Sequence, residues 1–296
     1  MTATQNKVLI VVGMHRSGTS LITRWLHSCG LPVGEDLLGP GLGNNEGHFE
    51  DTAFYDIHLQ ILRDNGLHDS GIMTEPVWRI TAYRKEEIRN IIAEKNSRFE
   101  QWGWKDPRTC LWLDVYREML PDAHYLVVLR DYQSVIVSLL NRTFALIDIT
   151  YNTRKGYFSK LAWYKFRRKR QFQKFCKQHA STFLAVWVHY NELILKGIRS
   201  LPADKYLVIN YEILHKEDKR IISHLNKRWH FSLNHSRFSD IYNEKLFSKP
   251  FAIEQFINDE QLILKAKKLF TDLSKYINIR HDKVVGEYSI TKVLQR

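Results

Sequence analysis

Between Gly13 and Ser20 the chain reads Gly-Met-His-Arg-Ser-Gly-Thr-Ser. Glycines that permit tight turns, a cation and several hydroxyls in so short a run suit the binding of an anion by backbone N–H groups. The spacing is that of a G-x-x-x-x-G-K-[ST] loop with one departure. Thr19 stands where that loop carries the lysine that reaches a β- or γ-phosphate, and the cation sits earlier, at Arg16. A loop of this kind suits a nucleotide with a single 5′ anionic arm better than a nucleoside triphosphate. A plain strand-to-helix turn is the alternative, but a turn alone does not ask for Arg16, Ser17, Thr19 and Ser20 together.

Other residues extend the theme. Lys105 follows an aromatic strand in Trp102-Gly103-Trp104-Lys105-Asp106-Pro107-Arg108, where Asp106 and Arg108 read as a pair bracing the turn. Arg130 ends an apolar run and Ser138 lies in the second turn of the helix after it, so a charge-assisted fork and a hydroxyl can grip one phosphate. Asp131 could instead be a magnesium ligand of a phosphotransferase, a reading that the missing loop lysine disfavours. Group transfer to a hydroxyl also needs a general base near the loop. Glu35, Asp36, His48, Glu50 and Asp51 are the candidates, with Asp51 read as a helix N-cap and His48 as a loop residue.

Several elements must position these residues. Val8–Val12, Trp102–Trp104, Tyr125–Leu129 and Tyr206–Asn210 read as strands, and the first and third are apolar enough to be buried on both faces. Strand, short connection and helix recur after residues 12 and 129, which makes a parallel sheet the economical reading. Helices are expected from Thr19 to Cys29, from Thr52 to a stop at Gly66, over Tyr83–Lys95, over Thr109–Leu120, from Tyr132 onward, and over Ile253–Leu273. Arg16, Lys105, Arg130 and Tyr211 would then meet at one edge of the sheet, where open parallel sheets bind ligands. The glycine-rich run Gly39–Gly47 beside them suits a substrate-gating loop.

The 296 residues carry 44 Lys+Arg against 32 Asp+Glu, a net charge of +12, which favours polyanionic partners without choosing among them. Cys29, Cys110 and Cys176 lack any metal or disulfide spacing, which points to a reducing compartment. Met1–Lys7 has no apolar core of a signal peptide, and no apolar run approaches membrane-spanning length. A cytoplasmic protein of one domain, 1–296, is expected. From Ile149 to Asn191 there is no acidic residue, while basic and aromatic residues alternate. That segment reads either as a solvated basic helix packed by its aromatic face or as a surface for an acidic glycan or lipid headgroup.

The loop resembles the 5′-phosphosulfate loop of sulfotransferases that use 3′-phosphoadenosine 5′-phosphosulfate (PAPS). It is most similar to the H-R-S-G-T-S form of bacterial carbohydrate-type members and, more distantly, to the P-R-S-G-T-T form of tyrosylprotein sulfotransferases. Short motifs in the right order carry the resemblance from residue 8 to about 215. It implies an α/β, P-loop-like sulfotransferase fold with a central parallel sheet of about five strands flanked by helices. It assigns His15, Arg16, Ser17, Gly18, Thr19 and Ser20 to the 5′-phosphosulfate, Arg130 and Ser138 to the 3′-phosphate, and Tyr211, in Tyr-Glu-Ile-Leu, to the adenine. Arg16, Glu50 and Lys105 would be catalytic, Lys105 assisting the bridging oxygen and Glu50 acting as base. Asp36 is the second choice of base, because Gly34-Glu35-Asp36 falls where tyrosylprotein relatives keep theirs. Lys249 would reach the donor, and Trp187-Tyr190-Asn191 matches a bacterial pattern without evident chemistry. PAPS would be the co-substrate, with no metal. The basic segment points to an acidic glycan or glycolipid acceptor, leaves room for peripheral membrane contact, and gives no reason for specific nucleic-acid binding. A magnesium-dependent P-loop kinase and a non-catalytic polyanion binder are the rival readings.

Overall fold

A computed structural model describes residues 6–41, 47–77, 79–154, 156–210, 214–242 and 251–279. Its centre is a parallel sheet of four strands: β1 (Lys7–Val12), β2 (Gln101–Lys105), β3 (His124–Leu129) and β4 (Tyr206–Asn210), in the order β2-β1-β3-β4. All four runs read as strands are strands, and no fifth joins them among the described residues. Side chains alternate between two cores. Val8, Ile10 and Val12 join Trp102, Trp104, Tyr125 and Val127 on one face, and Leu9 and Val11 join Leu126, Val128, Leu207 and Ile209 on the other. Burial on both faces is why β1 and β3 are continuous apolar runs.

The second face is covered by α1 (Thr19–Ser28) and α8 (Leu214–Trp229). The first is covered by α2 (Thr52–Asp64), α3 (Ala82–Arg98), α4 (Leu113–Met119), α5 (Tyr132–Arg154), α7 (Arg168–Ser200) and α9 (Glu260–Ser274). Between α5 and α7 lie α6 (Tyr157–Ala162) and a π-helical turn, Trp163–Arg167. Gly30, at φ 94°, closes α1 in the left-handed conformation expected of it. Asp51 caps α2 by accepting from the Ala53 N–H at 3.0 Å.

Some boundaries differ from expectation, each for a local reason. The helix read over 109–120 is split, because Pro107 and the Asp106 cap open a 3₁₀ turn, Pro107–Trp112, before α4 begins. The C-terminal helix starts at Glu260 rather than near 253, since Asp259 accepts from the Leu262 N–H at 2.9 Å and fixes its first turn. Helix α8 had not been anticipated. The 22 residues Tyr132–Thr153 are, by length and composition, apolar enough to span a membrane, contrary to expectation. Val135, Ile136, Val137, Leu139 and Leu140 are nonetheless buried in the protein core, as in a core helix.

The sheet order places the candidate site. β1 has β2 on one side and β3 on the other, so the chain reverses direction across the sheet at β1. Connections leaving β1 and β3 diverge to opposite faces and open a crevice beyond their carboxyl ends.

Candidate active site

Beyond β1 the chain turns on itself, with the Ser17 N–H donating to the Met14 carbonyl at 3.1 Å. Arg16 (φ 67°) and Gly18 (φ 91°) are both left-handed, a curl that turns successive N–H groups toward one point. Gly18 is the N-cap of α1 and no side chain caps that helix, so its first-turn N–H groups remain available to an anion. The loop lies hard against β3. A Cβ on Gly13 would meet Thr19 Cγ2 at 2.7 Å and the Val128 carbonyl oxygen at 3.0 Å. Gly13→Ala is therefore expected to destabilise the protein by about 1–3 kcal/mol, read as a melting temperature lower by a few degrees.

Cations gather around this curl. Arg16 Nε donates to Ser138 Oγ at 2.9 Å, and Arg130 Nη1 donates to the Arg16 carbonyl at 2.9 Å. The loop after β1, the end of β3 and the second turn of α5 are thereby tied together. Arg142, one turn beyond Ser138 on α5, lines the same cleft, which has a volume of about 710 Å³. Burial, then Arg142 and Arg130, pull the Arg16 pKa down to about 10. Burial also lowers that of Arg142, against an opposing contribution from Glu50. Neither Arg16 nor Arg142 has a carboxylate ion-pair partner among the described residues. Arg142 was not singled out from sequence, although its i+4 relation to Ser138 puts both on one helix face.

Below the loop sits Lys105, 1% exposed. Its ammonium donates to Glu50 Oε1 at 2.7 Å, to the His48 carbonyl at 2.6 Å and to Ser20 Oγ at 3.0 Å. All three ammonium hydrogens are thus used, which is what a buried lysine requires. Glu50 itself lines the cleft. Burial pushes its pKa up, and the Lys105 cation opposes that push.

Glu50 is placed by a hairpin. Leu38 N–H donates to the Glu50 carbonyl at 2.9 Å, His48 N–H to the Leu38 carbonyl at 3.1 Å, and Thr52 N–H to the Asp36 carbonyl at 3.0 Å. These bonds close the base of the glycine-rich loop, whose Gly39, Pro40, Gly41 and Gly47 line the cleft. The same pairing separates the candidate bases. The Asp36 carboxylate accepts from Thr52 Oγ1 at 3.1 Å and is not among the cleft-lining residues. Glu35 pairs with Arg98, and Asp51 pairs with Lys95 at 2.7 Å while capping α2. His48 lines the cleft, but burial, with Lys105, lowers its pKa to about 4.

The remaining residues have clear places. His15 lines the cleft, is nearly buried, and is held well below its ordinary pKa by burial, so it is neutral at pH 7. Gly18, Thr19 and Ser20 line the cleft, whereas Ser17 is buried away from it. Against the upward push of burial, Arg108 and His58 hold Asp106 well below the usual carboxylate range. Asp106 accepts from the Arg108 N–H at 2.7 Å, and His58 Nδ1 lies 3.1 Å from it. The bracing pair read from sequence is therefore present, with His58 as an unforeseen third member. Asp131 caps α5 by accepting from the Ser134 N–H at 2.8 Å. Tyr190 OH donates to the Gly71 carbonyl at 2.6 Å, so the Trp187-Tyr190-Asn191 pattern anchors a loop. Tyr211 and Lys249 lie outside the described residues.

Comparisons with known proteins bear on the family to which the chain belongs. The family profile described as the sulfotransferase family matches residues 9–235. A Caenorhabditis elegans protein provisionally named as a protein-tyrosine sulfotransferase is 29% identical over 149 residues, covering 50% of this chain and 51% of that one. A Caenorhabditis briggsae protein with the same provisional name is 27% identical over 203 residues, 66% of this chain and 63% of that one. The chain thus spans about half to less than two thirds of the length of these relatives. Among solved structures, a sulfotransferase from Mycobacterium avium superposes with a TM-score of 0.54 at 14% identity, over 93% of this chain and 78% of that one, a likeness of fold. With the profile extending from β1 past the phosphate loop, Lys105 and the Arg130–Ser138 pair, the chain belongs to the sulfotransferase family.

Proposed function

We propose that the protein transfers a sulfuryl group from PAPS to an acceptor hydroxyl. The observation that carries this reading is the convergence of Arg16, Arg130, Arg142 and Ser138 on the uncapped N-terminus of α1. The lowered pKa values of Arg16 and Arg142 mark positive charge that an anion would offset. Two anionic groups of one nucleotide fit two neighbouring grips. The curl at Arg16–Ser20 suits the 5′-phosphosulfate, and Arg130, Ser138 and Arg142 suit the 3′-phosphate. Thr19 in the lysine position, and Asp131 committed to a helix cap, favour this donor over a magnesium nucleoside triphosphate.

In the transfer, the acceptor oxygen gives its proton to Glu50 as the O–S bond forms. The bond from sulfur to the bridging oxygen breaks, and adenosine 3′,5′-bisphosphate leaves. Lys105 lies against Glu50 and Ser20, where its charge can offset the negative charge developing on that oxygen. The cleft, with its glycine-rich wall, would take the acceptor. The names of the two curated relatives favour a tyrosyl hydroxyl, whereas the basic segment 149–191 favours an acidic glycan or glycolipid. The buried, unpaired thiols of Cys29, Cys110 and Cys176 support a reducing, cytoplasmic location.

Thermal denaturation with candidate nucleotides tests the donor. Adenosine 3′,5′-bisphosphate at a hundred times its Kd is expected to stabilise by about 2.7 kcal/mol, a shift of about 5 °C, without magnesium. Stabilisation by ATP with magnesium alone would overturn the reading. Sulfate transfer from labelled PAPS onto tyrosine-containing acidic peptides and onto polysaccharides then decides the acceptor.

A further inference from the structure

Apart from Leu146, which lines the cleft, residues 146–177 form a surface that supplies no group to the donor or to the transfer step proposed above. Large apolar side chains normally turn inward, yet Leu146 is 54%, Ile149 43%, Leu161 50%, Tyr164 51% and Phe166 69% exposed. Elsewhere among the described residues only Tyr83 and Leu264 are large hydrophobics so exposed. The two segments that carry these five residues are clamped together. Tyr151 stacks on Trp163 at 3.8 Å, Trp163 Nε1 donates to Asp148 at 2.9 Å, Asn152 Nδ2 donates to Tyr164 OH at 2.9 Å, and Arg168 pairs with Asp148 at 2.8 Å. The end of α5 and the π-helical turn thus make one ridge. Trp163 is buried in it, while residues 164–171 are exposed throughout.

The ridge is also strongly basic. Lys165, Arg167, Lys169, Arg170, Lys174 and Lys177 are exposed, and none makes an ion pair among the described residues. No carboxylate lies between Ile149 and Asn191, and of the two that flank the stretch Asp148 is engaged by Arg168 and Trp163 and Glu192 by Lys265. Exposed apolar tips beside unneutralised lysines and arginines are complementary to one kind of surface, an anionic bilayer. There the apolar groups enter the acyl boundary and the cations meet the headgroups. We propose that this ridge docks the protein on an anionic lipid bilayer. A soluble acidic glycan would match the charge but would give Leu161 and Phe166 nothing to bury against. Leu146 also lines the catalytic cleft, so docking sets the cleft mouth at the headgroup layer. The proposal is independent of the donor chemistry and stands or falls separately from it.

Vesicle flotation with the full chain tests it. The protein is expected to float with vesicles of phosphatidylcholine mixed with phosphatidylglycerol at low salt, and not with phosphatidylcholine alone. The triple change Arg167→Gln, Lys169→Gln and Arg170→Gln should reduce partitioning roughly 100-fold, at about fivefold for each cation near a charged bilayer. The double change Leu161→Ala and Phe166→Ala should reduce it by about tenfold or more while leaving binding to soluble dextran sulfate unchanged. These side chains are exposed, so the melting temperature checks that each variant is folded. Failure of the wild-type chain to bind phosphatidylglycerol vesicles would overturn the proposal. So would flotation like wild type of both the folded triple charge variant and the folded Leu161→Ala, Phe166→Ala variant, since neither the cations nor the apolar tips of the ridge would then carry the docking.

Discussion

Glu50→Gln is expected to lower turnover by about 10²–10⁴-fold while leaving the affinity for adenosine 3′,5′-bisphosphate near that of the wild type. The amide cannot take the acceptor's proton but can still accept a hydrogen bond from Lys105, so the site keeps its shape. Glu50→Ala removes both functions. It leaves the buried Lys105 ammonium without its counter-ion, and breaking such a pair costs about 3–5 kcal/mol. The alanine variant should therefore be inactive and also melt about 5–10 °C lower. Because burial raises the Glu50 pKa, the acid limb of kcat/KM should lie above 4.5, the ordinary value for this group. Activity is lost as pH falls through that limb, since protonation disables the base. Full turnover in Glu50→Gln would end its assignment as base, and the limb should disappear from the profile of any slow residual reaction.

The second large effect concerns the 3′-phosphate. Arg130→Ala removes a charged donor from the grip, and a hydrogen bond to a charged group is worth about 1.5–3 kcal/mol. Affinity for adenosine 3′,5′-bisphosphate should fall roughly 10- to 150-fold, measured by calorimetry. A part of the loss comes from the loop, since Arg130 also steadies the Arg16 carbonyl. Adenosine 5′-phosphosulfate, which lacks the 3′-phosphate, separates the two contributions. Its affinity should change much less than that of the bisphosphate. Equal weakening of both ligands would place the 3′-phosphate elsewhere in the cleft.

What could be read without coordinates follows from how local each signal is. Strands β1 and β3 were legible because burial on both faces leaves unbroken apolar runs, and the tight turn between β1 and α1 because its glycines and hydroxyls stand in a fixed order. Arg130 and Ser138 were legible through their places at a strand end and on the next helix. From residue types alone Glu50 was one of several acids, and only the family resemblance put it ahead of Asp36. Its separation from Asp36 depends on the hairpin bonds of residues 36–52 and on Lys105, which arrives from a distant strand. Helix α8 had a usable signal in Leu214, Ile221, Ile222 and Leu225, spaced on one face, but its many charges obscured it. Asp259, a capping residue just before the periodic apolar run, is an equally local signal for the start of α9. His58 could not have been found, because its role rests on Asp106 and Tyr116, which lie far along the chain and are brought beside it only by packing.

The three bonds of Lys105 carry a kinetic consequence. An ammonium group has three hydrogens, and here each is committed to the protein's own oxygens. Lys105 can therefore reach a leaving oxygen only by releasing one of its present partners. With Glu50 as the proposed base, taking the acceptor's proton would cancel its charge and weaken its hold on Lys105 at the moment negative charge builds on the leaving group. On the proposed mechanism, deprotonation of the acceptor and stabilisation of the departing nucleotide would be two sides of one hand-off. Neither residue alone can perform it, and simultaneous loss of both should cost little more than loss of one.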